Sequence, residues 1–189
     1  MRSRILPLAA PMLLSAFLLS SCDLPGEEAA AQAQGAAEGD KQSGQKSFEN
    51  GKFKVKWTLD GEDFKIKLES SYKGFMALGF NPKPSMTGAD MIIVRMDETG
   101  KIYVEDHFCK TGKIHKQDKE FGGTSRVTKK SGGTKDGWTV ANIVIKAKSD
   151  DPNDVSIEPG KKYYFLVSAS DKSSMLAMHS FVDKFLVTF

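Results

Sequence analysis

Two consecutive runs of strict alternation constrain this chain more than any other feature. Phe53-Lys54-Val55-Lys56-Trp57-Thr58-Leu59 alternates apolar and polar side chains along its whole length. Asp60-Gly61 follows, a dipeptide suited to a tight hairpin turn. Phe64-Lys65-Ile66-Lys67-Leu68 then alternates again. Successive side chains of an extended strand point to opposite faces, so each run has one buried and one wetted face. The pair reads as a β-hairpin.

Further strands are expected over 74–80, 90–96, 101–106, 125–130, 138–145, 161–169 and 184–189. Gly100, Gly132-Gly133, Asp136-Gly137, Asp150-Asp151-Pro152-Asn153 and Glu158-Pro159-Gly160 punctuate them. No stretch of a dozen residues in this region carries helical periodicity. Many short strands between turn residues indicate an all-β antiparallel sandwich. The region from residue 48 to 189 is long enough for one such domain with a real core.

The N-terminal part follows other rules. Arg2 and Arg4 precede an apolar run from Ile5 to Leu19, interrupted by Pro7 and Pro11, and Ser20-Ser21-Cys22 closes it. A charged start, an apolar centre and small residues before a cut form an export signal, too short and broken for a membrane span. A cysteine directly after two small residues resembles the lipobox of bacterial lipoproteins. That resemblance implies cleavage before Cys22, acylation of its sulfur and attachment to membrane lipid on the extracytoplasmic side, at the periplasm or the cell surface. Residues 1–21 are thus read as signal peptide. Residues 22–47 are read as the lipidated cysteine followed by a flexible tether of Ala, Gln, Gly, Glu and Ser, with too few large apolar side chains to offset ordering entropy.

Composition closes several routes. Cys22 and Cys109 are the two cysteines of the chain, so an acylated Cys22 leaves Cys109 without an intrachain partner. There is no Cys-x-x-Cys-His for covalent haem, and three histidines are too few for a Cys/His zinc site. The formal charge of +3 falls to +1 once Arg2 and Arg4 leave with the signal, and nothing argues for a nucleic-acid partner. Gly-x-Ser-x-Gly, Gly-x-Gly-x-x-Gly before a helix and His-Glu-x-x-His are all missing, so no catalysis is expected. His107 and Cys109 share a face of one strand, and a buried, inert thiol is the expected state of Cys109.

The most informative stretch runs Gly74-Phe75-Met76-Ala77-Leu78-Gly79-Phe80-Asn81-Pro82-Lys83-Pro84-Ser85-Met86-Thr87-Gly88-Ala89-Asp90 and on into Met91-Ile92-Ile93. One strand ends at Gly79-Phe80, a Pro-containing loop carries Met86, and a second strand begins at Asp90. Gly100-Lys101-Ile102-Tyr103-Val104-Glu105-Asp106 follows, and Tyr163-Tyr164-Phe165 and Leu176-Ala177-Met178-His179 precede the final strand. In order and spacing these segments resemble the DOMON family over residues 48–189. The resemblance implies an immunoglobulin-like β-sandwich and a division between haem-b binders and binders of other ligands.

In the haem-binding branch Met86 matches the ligand methionine and His179 the ligand histidine. A thioether and a neutral imidazole can fill both axial positions of a haem iron, which implies electron transfer to a redox partner rather than oxygen chemistry. Phe80, Phe181 and Met178 are expected to line the pocket, with Met175 and His107 as alternative ligands and Lys83 or Arg95 as propionate partners. His107 and His115 otherwise read as exposed loop residues in a Lys-rich segment. The family's Gly and Arg after the histidine are replaced by Ser180-Phe181-Val182-Asp183-Lys184. The haem reading requires Met86 and His179 to face each other across space for a flat macrocycle, and it fails if they sit at opposite ends of the sandwich. The alternative is a haem-free module that binds a carbohydrate or another small ligand.

Overall fold

The computed structural model describes residues 38–39, 44–81, 83–112, 114–174 and 178–189. The signal peptide, Cys22, most of the proposed tether and Met175 lie outside them. Among the described residues no helix is long and apolar enough to cross a membrane.

Twelve strands form two six-stranded antiparallel sheets. The first sheet contains, in spatial order, β1 (Glu38–Gly39), β2 (Lys46–Glu49), β3 (Phe53–Asp60), β4 (Asp63–Ser70), β10 (Trp138–Lys146) and β9 (Val127–Lys135). The second contains β12 (Phe181–Thr188), β11 (Lys162–Ser170), β5 (Phe75–Asn81), β6 (Asp90–Met96), β7 (Ile102–Thr111) and β8 (Ile114–Gln117). A 3-10 turn, Asp118–Phe121, follows β8. The expected antiparallel β-sandwich is the fold observed.

The alternating runs behave as their pattern requires. β3 buries Phe53, Val55 and Trp57, and β4 buries Phe64, Ile66 and Leu68. Asp60 pairs with Asp63, so the connecting loop is Gly61-Glu62, and Gly61 takes φ +59° at its first position, as a type II′ turn demands. The β9–β10 hairpin uses the other favoured turn. Lys135 pairs with Trp138, and Asp136 and Gly137 both have positive φ, at 48° and 79°. That is the Asp-Gly signature of a type I′ turn, which matches the right-handed twist of the strands it joins.

The core lies between the sheets and is aromatic. Phe165 of β11 sits at its centre, with ring centroids 5.2 Å from Trp57, 5.7 Å from Phe80 and 5.4 Å from Phe185. Phe48 stacks on Phe185 at 3.9 Å. β9 closes one edge of the first sheet, and its Lys129, Lys130 and Lys135 are exposed.

Three strands, β1, β2 and β8, are not foreshadowed by the alternation pattern. β2 begins at Lys46 and pairs with β1, so residues 38–39 and 46–47, assigned to the tether, belong to the sheet edge instead. β8 lies in the polar stretch read as loop. β7 runs on to Thr111 and folds back into β8, with His107 opposite Gln117 and Cys109 opposite His115. An edge strand whose side chains serve a polar ladder shows no apolar alternation to reveal it.

Candidate functional site

The outward face of the second sheet departs from the usual pattern. Exposed faces of antiparallel sheets carry polar side chains. Here Ala77, Met91, Ile93 and Cys109 point outward, join Ala89 in a second buried apolar cluster and are covered, with Met86 and Leu166 packed against them. Phe75, on the same parity of β5, is also buried. The strand at the centre of this face presents small residues, Ala77 and Gly79. A β-carbon on Gly79 would come within 3.3 Å of the Met91 side chain and 3.4 Å of Leu166. Gly79 therefore keeps the floor low.

The β5–β6 loop delivers Met86 to this floor. Asn81, 3% exposed, donates its side-chain amide to the carbonyls of Ser85 at 2.6 Å and Thr87 at 3.0 Å, and its Oδ1 accepts the Lys83 N–H at 3.0 Å. The Gly88 N–H donates to the Cys109 carbonyl and the Ala89 N–H to that of Met86, at 2.8 and 2.9 Å. These bonds tie the loop to β7 and turn the Met86 side chain inward, where it is half-buried on the apolar cluster.

His179 reaches the same face from the other side. Ser170 of β11 pairs with Phe75, so the segment leading to His179 rises at the start of β5, whereas Met86 follows its end. The two loops are rooted at opposite ends of β5, yet both side chains lie on one face. The His179 ring stands edge-on to Phe75, with centroids 5.7 Å apart. Its charge is felt by His115, which lies opposite Cys109 in Met86's cluster. Burial pushes the His179 imidazole below its ordinary pKa and favours the neutral ring.

A histidine pair completes the rim. His107 is 4% exposed, not a loop residue. Its Nε2 is 3.0 Å from Glu105 Oε2, and its Nδ1 is 3.3 Å from His115 Nδ1. Gln117 donates to the same Glu105 oxygen at 2.8 Å. Burial lowers the His115 pKa first, then the nearby His107 and His179. The Glu105-x-His107-x-Cys109 spacing on one strand face was the signal in the sequence. Cys109 is a free, fully buried thiol that donates to the Thr111 carbonyl at 2.9 Å, and burial raises its pKa.

Three expected pocket residues sit elsewhere. Phe80 shares parity with Met76 and Leu78 and points into the core, edge-on to Phe64 at 5.8 Å. It is therefore on the opposite side of the sheet from Met86. Phe181 stacks between Phe53 and Tyr72, at 6.1 and 6.2 Å, in the main core cluster. Met178 is 90% exposed. Phe80, Phe181 and Met178 adjoin the candidate ligands in sequence, but strand parity and loop direction decide their surroundings. Lys83 is exposed, and Arg95 lies over the Tyr103 ring at 4.4 Å, on the outward face beyond Ile93.

The DOMON domain family matches residues 49–170, nearly two thirds of the chain, and the chain belongs to that family. No curated protein matches it in sequence. Two solved structures share its fold. The cytochrome domain of Myriococcum thermophilum cellobiose dehydrogenase superposes with a TM-score of 0.53 at 11% identity, covering 81% of this chain and 87% of that one. The cytochrome b domain of pyranose dehydrogenase from Coprinopsis cinerea gives 0.51 at 10% identity, covering 71% and 75%.

Proposed function

We propose that the protein is an extracytoplasmic DOMON protein, anchored to a bacterial membrane through acylated Cys22, that binds haem b between Met86 and His179 and passes electrons to a redox partner. The observations that support this reading are a half-buried thioether packed on the outward apolar cluster and an imidazole set edge-on to Phe75 of the same sheet face.

The donor set fits. His179 is held neutral by burial, so a ring nitrogen lone pair is free to ligate. Met86 is presented by a loop whose backbone is fixed by Asn81, which limits the entropy lost on ligation. Met86 and His179 would hold the haem, which would supply one-electron chemistry. The remaining apolar side chains, Met91, Ile93 and Leu166, exclude water from the face.

The test is spectroscopic. Apoprotein titrated with haemin should give a low-spin spectrum, and Met86→Ala and His179→Ala should each convert it to a high-spin one. A protein that takes up no haem returns the face to the carbohydrate or small-ligand alternative. The anchor is tested separately: Cys22→Ser should release the protein from membranes.

A further inference from the structure

A second constellation lies at the edge of the sandwich, apart from the Met86–His179 face. Asp90 opens β6, Asp106 is on β7, Asp118 starts the 3-10 turn, and Asp151 and Asp154 lie in the loop after β10. Candidate ligand oxygens of Asp118, Asp151 and Asp154 all lie within 4.8 Å of one another, and those of Asp90, Asp106 and Asp154 do likewise. Five carboxylates thus gather in two triads that share Asp154. Among the described residues Arg126 is the sole cation ion-paired with any of them, to Asp90 directly and to Asp154 at 3.8 Å.

Their hydrogen bonds divide the cluster in two. The Asp90 and Asp106 side is half matched: Asp90 Oδ2 accepts from Arg126 and from the Val155 N–H at 2.8 Å, and Asp106 Oδ2 accepts the Arg126 N–H at 2.8 Å, while the Oδ1 atom of each accepts nothing. The Asp118 side is not matched. Asp118 is 1% exposed; neither of its oxygens meets an N–H or O–H donor of another residue type, and its side-chain partner is the Asp154 carboxyl. Asp154, with its side chain 1% exposed, has beyond that carboxyl only the Arg126 guanidinium at 3.8 Å. Two buried carboxyls turned on each other are costly unless a proton or a cation lies between them.

The surrounding backbone is arranged to hold them. Asp151 is fixed by the N–H groups of Thr124 at 2.7 Å and Asn153 at 2.9 Å. Gly123 brings the turn against this loop so closely that a β-carbon there would fall 2.6 Å from both Asp151 Oδ2 and Asn153 Nδ2. Without a cation, burial and the neighbouring Asp106 and Asp154 push the Asp118 carboxyl up to about 8.

We infer that Asp118, Asp151 and Asp154 bind a hard divalent cation, calcium by preference, which clamps the turn after β8 to the loop after β10. An all-oxygen donor set selects calcium or magnesium over softer metals. Calcium tolerates irregular geometry and sheds its water more readily than magnesium, which suits ligands this buried. The inference does not depend on haem.

The full chain, stripped with a chelator, is titrated with calcium chloride and separately with magnesium chloride, followed by calorimetry and thermal unfolding. Calcium should bind at about one equivalent and raise Tm by about 5 °C, with magnesium weaker. Asp118→Asn keeps the shape of the neutral carboxyl and should fold, yet bind calcium at least about tenfold more weakly. Asp154→Asn should do the same. Absence of any heat and any Tm shift for the unaltered chain up to about 10 mM calcium, above the weakest range of extracellular calcium modules, overturns the proposal. Undiminished affinity in both variants overturns it as well.

Discussion

Arg126 and Asp90 join the two sheets through a fully buried ion pair, the first immediately before β9 and the second opening β6. Arg126 also donates to the carbonyls of Val155 at 3.0 Å and Lys146 at 3.3 Å, so one side chain ties together four segments. Removing one member of such a pair strands the other's charge. Arg126→Met should cost roughly 3–5 kcal/mol in urea unfolding. A loss below about 1 kcal/mol would mean that the pair contributes no more than a surface one.

The aromatic core sets the scale for ordinary packing. Phe165→Ala removes a fully buried ring in contact with Trp57, Phe80 and Phe185 and should destabilise by roughly 3–5 kcal/mol. Val182 is 65% exposed, and Val182→Thr should stay within about 0.5 kcal/mol. Equal effects in a chemical denaturation series would contradict the assignment of the core to the space between the sheets.

The histidines separate ligation from support. His107 is engaged with Glu105 and His115, so His107→Ala should leave a low-spin haem spectrum in place, whereas His179→Ala abolishes it. The reverse result assigns the imidazole ligand to β7 and removes His179 from the site.

Stability of the haem-free protein should carry a histidine signature in its pH dependence. His115 is held below its ordinary value of 6.5 by burial and by His107 and His179. The folded chain therefore binds that proton less readily than the unfolded one. Its contribution is complete above pH 6.5 and is lost as the pH falls from there through the lower folded value. Asp106, raised to about 6 by burial, works in the opposite direction, so the histidine term is isolated by a variant. The urea midpoint of the native sequence should fall more between about pH 7.5 and 5.5 than that of His115→Gln. Parallel slopes would refute the assignment.

Cys109 should not react with a disulfide reagent in the folded protein. Its thiol is buried, hydrogen-bonded to Thr111 and raised in pKa. Modification should follow global unfolding, and a fast reaction in buffer would show that the apolar face opens locally.

Legibility in the sequence tracked the range of the forces involved. The β3–β4 hairpin was readable because alternation and a turn dipeptide are local. The loop position of Met86 was readable for the same reason, since Pro84 and Gly88 bracket it. Phe80 was misplaced because neighbourhood in sequence was taken for neighbourhood in space, although its parity with Leu78 pointed inward. β8 was hidden because its side chains answer to Glu105 and His107 on the adjacent strand rather than to the core. The acidic cluster was out of reach altogether. It draws Asp90, Asp106, Asp118 and Asp154 from four separate segments, and no spacing rule links them.

The lysines of β9 have a consequence for crowding. An unpaired strand edge invites a neighbouring copy to add its own strand. Three ammonium groups along that margin make such zippering repulsive when copies are crowded together.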